Sequence, residues 1–133
     1  MKKMPAAVAG FVRDEGVCQV ASVQPDGSPH LAPVCHVFDG KVAYIDVSNV
    51  GGTSAAFRAG SGIALLIDHY EDDWSKLRGV LLFTHAEALE GERRDAAWRM
   101  IREKFPQSKD VGWNPRLTLA LHIDDWKAWG FGE

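Results

Sequence analysis

The sequence predicts a mainly β chain of the α+β class: six strands in a small barrel, a short helix after the third strand and a longer helix after the fifth. Three observations carry this. Two strand-like runs, VCQVASVQ and PHLAPVCHVF, flank the turn PDGS, and a third run, KVAYIDV, follows to complete a meander. The second run is apolar on both faces, as in a closed barrel with something packed outside it. Over residues 92–105 the apolar period changes to that of a helix.

The elements follow in order. Ala6, Ala7, Val8, Phe11 and Val12, behind Pro5, make a weak helix over 5–13 that Gly16 closes. The first strand is 17–24 and the second 29–38, with His30, Ala32, Val34, His36 and Phe38 on one face and Leu31, Pro33, Cys35 and Val37 on the other. Between them, Pro25 suits the second position of a type I turn with Gly27 as the left-handed residue. Gln24 then pairs with Ser28, Cys18 falls opposite Val34, and the two thiols face opposite ways. A two-residue Asp26-Gly27 turn would instead set Cys18 opposite Cys35; the proline favours the first register. Pro33 cannot donate to a ladder and marks an edge or a bulge.

The third strand is 41–47, and 53–59 reads as a short helix with Gly60 or Gly62 at its end. IALLID, within 62–70, is a buried strand, EDDWSK an acidic loop, and 77–89 a long strand paired with the one before it. Ala97, Met100, Ile101 and Phe105 form the stripe of the surest helix, which Pro106 stops. QSKDVGWNP is a loop, and 116–125 is the last strand.

At 133 residues the chain is expected to be one domain, 1–133. A net charge of −3 without a basic run argues against a nucleic-acid partner, because neutralising phosphates needs clustered lysine and arginine. MKKMPAAVAG is too short for a signal core and nothing later resembles a membrane span, so a soluble cytoplasmic protein is expected. Two cysteines make no disulfide framework. His30 and His36 share a strand face but stand roughly 20 Å apart, too far to share a tetrahedral ion, and neither CxxC nor HExxH occurs. No metal site is expected. No nucleophile elbow occurs either, and the acidic run 71–73 lacks EF-hand spacing, which leaves it a solvated loop.

SNVGGTSAAFR has a different character. Gly51 and Gly52 free the backbone to present N–H groups, Thr53 and Ser54 add hydroxyls, a helix begins there, and Arg58 adds a fixed charge one turn on. These are the parts of an anion seat. The plainer reading of the same residues is a glycine turn with a helix cap.

ASVQPDGSPHLAPVCHVF, KVAYIDVSNVGGTSAAFRAG, IALLIDHYEDDWSKLRGVLLFTHAEAL and LALHIDDWKAWGF, in that order, resemble the pyridoxamine 5′-phosphate oxidase-like flavin-binding split β-barrel superfamily over nearly the whole chain. DHYEDDWSKLRGV with the later DDWKAW is similar to the branch labelled deazaflavin (coenzyme F-420)-dependent oxidoreductases. The resemblance implies a six-stranded split β-barrel, a homodimer, and FMN or the deazaflavin at the subunit interface for hydride transfer with a small-molecule substrate. It places Pro33, Val34 and Cys35 along the cofactor, Ile45, Asp46 and Val47 beside it, and Ser48, Thr53, Ser54 and Arg58 on its phosphate. Lys76 and Arg78 would reach that phosphate across the dimer, and Trp74, Trp126 and Trp129 would wall the ring or fill the interface. Where the family commonly has a lysine and, three residues on, an asparagine, this chain has Thr53 and Ala56; where the oxidase proper has glutamine, it has Gly79. No acid–base residue is assigned. A binding protein that carries a flavin or haem without turnover is the competing expectation.

Overall fold

β1 (Val17–Val23) and β2 (Pro29–Cys35) form an antiparallel hairpin with Cys18 opposite Val34. In this computed structural model, which describes residues 2–132, Gly27 sits at φ 88° and donates its N–H to Gln24 O at 2.8 Å, while Gln24 N–H reaches Ser28 O at 2.9 Å. The type I turn with a left-handed glycine is therefore the one formed, and both cysteines are free thiols on opposite faces.

Beyond Cys35 the expected second strand divides. β3 (Val37–Phe38) starts after a single intervening residue, His36, so there are seven strands rather than six. With β4 (Val42–Val47), β5 (Ile63–His69), β6 (Arg78–Ala88) and β7 (Leu117–Trp129), they form one antiparallel sheet ordered β2-β1-β5-β6-β7-β4-β3. β2 and β3 are its two edges, yet the chain passes from one to the other in two Cα steps, at most about 7.6 Å. The sheet must curl until its edges meet, which makes it a half-barrel. One strand cannot serve both edges without a corner, and His36 is the corner. Pro33 lies on the edge strand, where its missing N–H leaves no ladder bond unmade.

Two helices hold the corner. His36 is buried, with Nε2 2.7 Å from Val12 O in α1 (Ala6–Asp14), so Nε2 carries the proton and donates. Lys104, the last residue of α3 (Gly91–Lys104), donates to His36 O at 2.8 Å and to Glu15 O at 2.6 Å. Inside the curl, Val20, Ile45, Ile63, Leu65, Ile67, Val80, Leu82, Leu119 and Leu121 form the core, each burial worth about 1.5–3 kcal/mol. α3 covers the outer side of β4 and β7, setting Ala97, Trp98 and Ile101 against Val37, Tyr44 and Ala120. α2 (Gly52–Arg58) joins β4 to β5. The acidic loop holds a 3-10 turn at Trp74–Lys76, whose Asp73 accepts from Ser75 N–H and Oγ–H. Among the described residues no helix is long and apolar enough to cross a membrane.

Burial pushes the His36 imidazole down from 6.5 to about 4, and the Lys104 ammonium acts in the same direction. The unfolded chain therefore takes up a proton first as pH falls. Stability from this residue is complete above the unfolded value and is lost between about 6.5 and 4, by up to about 3 kcal/mol. Urea unfolding across that window should show this slope in the wild type and a flatter one in His36→Gln.

Candidate functional site

Curling the sheet lays the inward row of β2, His30, Ala32 and Val34, beside the last residues of β4. A cleft of about 210 Å³ opens there, completed by Asp46, Val47, Ser48, Gly51, Gly52, Thr53 and Arg116. Its floor is apolar, from Ala32, Val34 and Val47. Its rim carries two hydroxyls, an imidazole and a guanidinium.

Five of the twelve residues expected at a cofactor line this cleft: Val34, Asp46, Val47, Ser48 and Thr53. The other seven are placed elsewhere. Ile45 is wholly inside the core. Pro33 and Cys35 project from the opposite face of β2 to Val34. Ser54 is buried and its hydroxyl donates to Gly51 O at 2.8 Å, within its own turn. Arg58 is exposed and donates to Asn49 O at 2.7 Å, which clamps the loop before α2 and does not reach the cleft. α2 is only seven residues long, too short to supply much field of its own.

Lys76 and Arg78 lie at the far end of the barrel. Leu117, at the start of β7, pairs with Val47 beside the cleft, whereas Trp129, at its end, pairs with Gly79 next to Arg78. Roughly 40 Å of strand separates those ends. Within one chain the two cations line a different cavity, of about 300 Å³, with Phe11, Glu15 and His69.

The cation at the cleft is Arg116, which sequence reading placed only at the start of the last strand. It is held by Asp46, whose side chain is fully buried. Asp46 Oδ1 accepts from Thr118 Oγ1 at 2.9 Å and Arg116 N–H at 3.0 Å, and Oδ2 from Arg116 Nε at 3.2 Å and Trp113 Nε1 at 3.3 Å. Thr118 Oγ1 in turn accepts from Trp98 Nε1 at 2.9 Å. Four donors occupy the carboxylate, so Asp46 aims the guanidinium and has little capacity left for a ligand. Arg116 keeps 47% of its side chain exposed and engages Asp46 through Nε, so its terminal amino groups can donate to a further acceptor.

His30 is the second residue the sequence reading passed over. Its ring lies against Gly52, where an added Cβ would overlap Nδ1 and stand 2.6 Å from Cγ. A similar pairing explains Gly79. The Trp129 ring covers it, a Cβ there would sit 2.5 Å from Cε2, and Trp129 Nε1 donates to Tyr70 OH at 3.0 Å. The indole thus fills the space a glutamine would need. Trp126 is a core residue whose Nε1 donates to Lys2 O at 3.1 Å, and Trp74 is 81% exposed. Among the described residues no three of His, Cys, Asp or Glu are grouped to hold a metal.

A family model described as pyridoxamine 5′-phosphate oxidase matches residues 4–130. No curated protein matches the chain. Among solved structures, a conserved hypothetical protein from Mycobacterium tuberculosis is 22% identical with a TM-score of 0.78, over 97% of this chain and 89% of that one. A heme binding protein from Mycobacterium smegmatis is 18% identical with a TM-score of 0.79; all of this chain aligns to 57% of its length. A FAD-binding protein from Mesorhizobium loti is 16% identical with a TM-score of 0.73, over 96% and 93% of the two chains. At these identities the likeness is one of fold.

Asp46→Asn keeps the shape but removes the charge facing Arg116. Because that cation is half exposed, the expected loss of stability is about 2 kcal/mol, read as a lower urea midpoint with unchanged slope.

Proposed function

The chain belongs to the pyridoxamine 5′-phosphate oxidase family, and from that premise we propose that it is a flavin-dependent oxidoreductase with FMN, or the deazaflavin F-420, seated by its phosphate in the cleft at Arg116. The observation that carries this is the aimed guanidinium. Buried Asp46 holds Arg116 at the rim of a cleft that also offers Ser48 and Thr53 hydroxyls and the His30 imidazole. These donors fit a phosphate, and charge-assisted bonds of this kind are the strong ones. Thr53, where the family commonly has lysine, gives a hydroxyl in place of a charge; Arg116, just ahead of β7, would supply the charge.

The bound flavin would supply the hydride chemistry. The chain's own part is to fix the phosphate through Arg116, Ser48 and Thr53, and to offer the apolar floor of Ala32, Val34 and Val47. The row Val17, Val23, Leu31 and Phe83 on the outer face of the sheet is 50%, 52%, 68% and 37% exposed. Exposed apolar side chains of this size on one face suit a self-interface, and a homodimer is proposed through them. Lys76 and Arg78, remote from their own cleft, would serve a partner's in such a dimer.

A carrier that holds a flavin or haem without turnover is the second reading, and one observation favours it. Asp46 is the carboxylate lining the cleft and four donors engage its lone pairs, so it is not free to act as a base toward a substrate.

Arg116→Ala should weaken FMN binding by about 1.5–3 kcal/mol in a fluorescence titration, and Arg58→Ala by less than about 1 kcal/mol. Equal losses would move the phosphate away from Arg116. Leu31→Asp should shift sedimentation from dimer to monomer; a dimer that persists would place the interface elsewhere.

A further inference from the structure

Arg116 is held at the rim of the cleft by Asp46, and Asp46 is held in turn by residues that do not line the cleft. Arg116 makes two bonds that span the carboxylate, from its backbone N–H to Oδ1 at 3.0 Å and from Nε to Oδ2 at 3.2 Å. Those bonds coexist only while the carboxylate keeps its orientation, so whatever fixes that orientation fixes the cation. Thr118 Oγ1 donates to Asp46 Oδ1 at 2.9 Å and accepts from Trp98 Nε1 at 2.9 Å. The directions along this chain are forced, because an indole N–H only donates, a carboxylate only accepts and a hydroxyl has a single proton. With the indole on a lone pair of Oγ1, the proton of Thr118 is left for Asp46. Trp98, Thr118 and Asp46 are all buried, where such bonds are stronger than in water. The indole is itself gripped: Trp113 meets it edge-on with ring centroids 5.1 Å apart, and the Arg102 guanidinium lies 4.6 Å over it.

We propose that Trp98, on α3 and outside the cleft, is a positioning residue for Arg116: its indole N–H holds the Thr118 hydroxyl on Asp46 and so keeps the guanidinium turned to an anion. This rests on the reading of the cleft as a phosphate seat and adds to it a control exerted from the long helix. Without that N–H, Thr118 is free to turn its proton elsewhere and Asp46 loses an anchor. Arg116, half exposed, then swings toward solvent. The loss falls on orientation alone, since the cation and the hydroxyls of Ser48 and Thr53 all remain.

Two readouts test this: the affinity for inorganic phosphate, and the exchange of the Arg116 Nε–H proton with solvent, followed by NMR with no anion present. Trp98→Phe keeps an aromatic ring on α3 and deletes the N–H. Phosphate should then bind about threefold or more weakly, and the Arg116 Nε–H should exchange at least about tenfold faster. Ile101→Val thins the packing of the same helix without touching the chain of bonds, and should move neither readout by more than about twofold. Thr118→Val cuts the same link from its other end and should behave as Trp98→Phe does, which keeps the test open if the latter fails to fold. Thr118→Ser keeps the hydroxyl and should restore what Thr118→Val loses. Exchange at the wild-type rate in Trp98→Phe, phosphate affinity unchanged by it, or equal losses in Ile101→Val would overturn the positioning role. If wild type binds no phosphate while the Nε–H responds as described, the phosphate seat falls and the placing of Arg116 by Trp98 stands.

Discussion

The single residue between β2 and β3 constrains the rest of the molecule. Cys35 ends one edge of the sheet and Val37 begins the other, so the edges cannot separate at that point. From this the curl follows, and from the curl the meeting of β2 with the end of β4 that opens the cleft. Val12 O and the Lys104 ammonium reach the corner from two helices, one satisfying the imidazole and the other the carbonyl. A neutral histidine suits the place because it donates one hydrogen bond in a buried setting without bringing in a second charge beside Lys104.

Within the cleft, holding and binding are divided between residues. Asp46 is buried and saturated, and Arg116 is half exposed and aimed. The carboxylate also ties Trp113 and Thr118, and through Thr118 Trp98 of α3, so the rim of the cleft and the packing of the long helix share one hydrogen-bonded network. Two rings on two glycines, His30 on Gly52 and Trp129 on Gly79, set what the chain can present at each end of the barrel. Both glycines serve by leaving space to a neighbour's ring.

The local features were legible in the sequence and the distant ones were not. Proline and glycine in PDG fixed the hairpin register, because turn geometry is decided within four residues. The stripe of Ala97, Met100 and Ile101 marked the long helix by period alone. The division at His36 left no mark, since the run 29–38 alternates through it and the corner arises only from pairing with strands far along the chain. Arg116 was hidden for the same reason: its partner Asp46 lies 70 residues away, and only the β4–β7 register brings them together. The resemblance sets Asp46 beside a cofactor, and in the structure Asp46 lines the cleft with its carboxylate beneath four donors. Arg58, one turn along from the glycines, reads as the anion's cation, but its guanidinium donates to Asn49 O and does not line the cleft.

The family match and the aimed guanidinium together direct attention to what the protein carries in its own cells. The most direct measurement is the visible absorption spectrum of protein purified from its native source, followed by denaturation and identification of any released chromophore. A flavin or deazaflavin band, released intact and bearing its phosphate, is the expected result. A colourless protein that releases nothing, or an intense Soret band in place of the flavin bands, would contradict a flavin seat at Arg116.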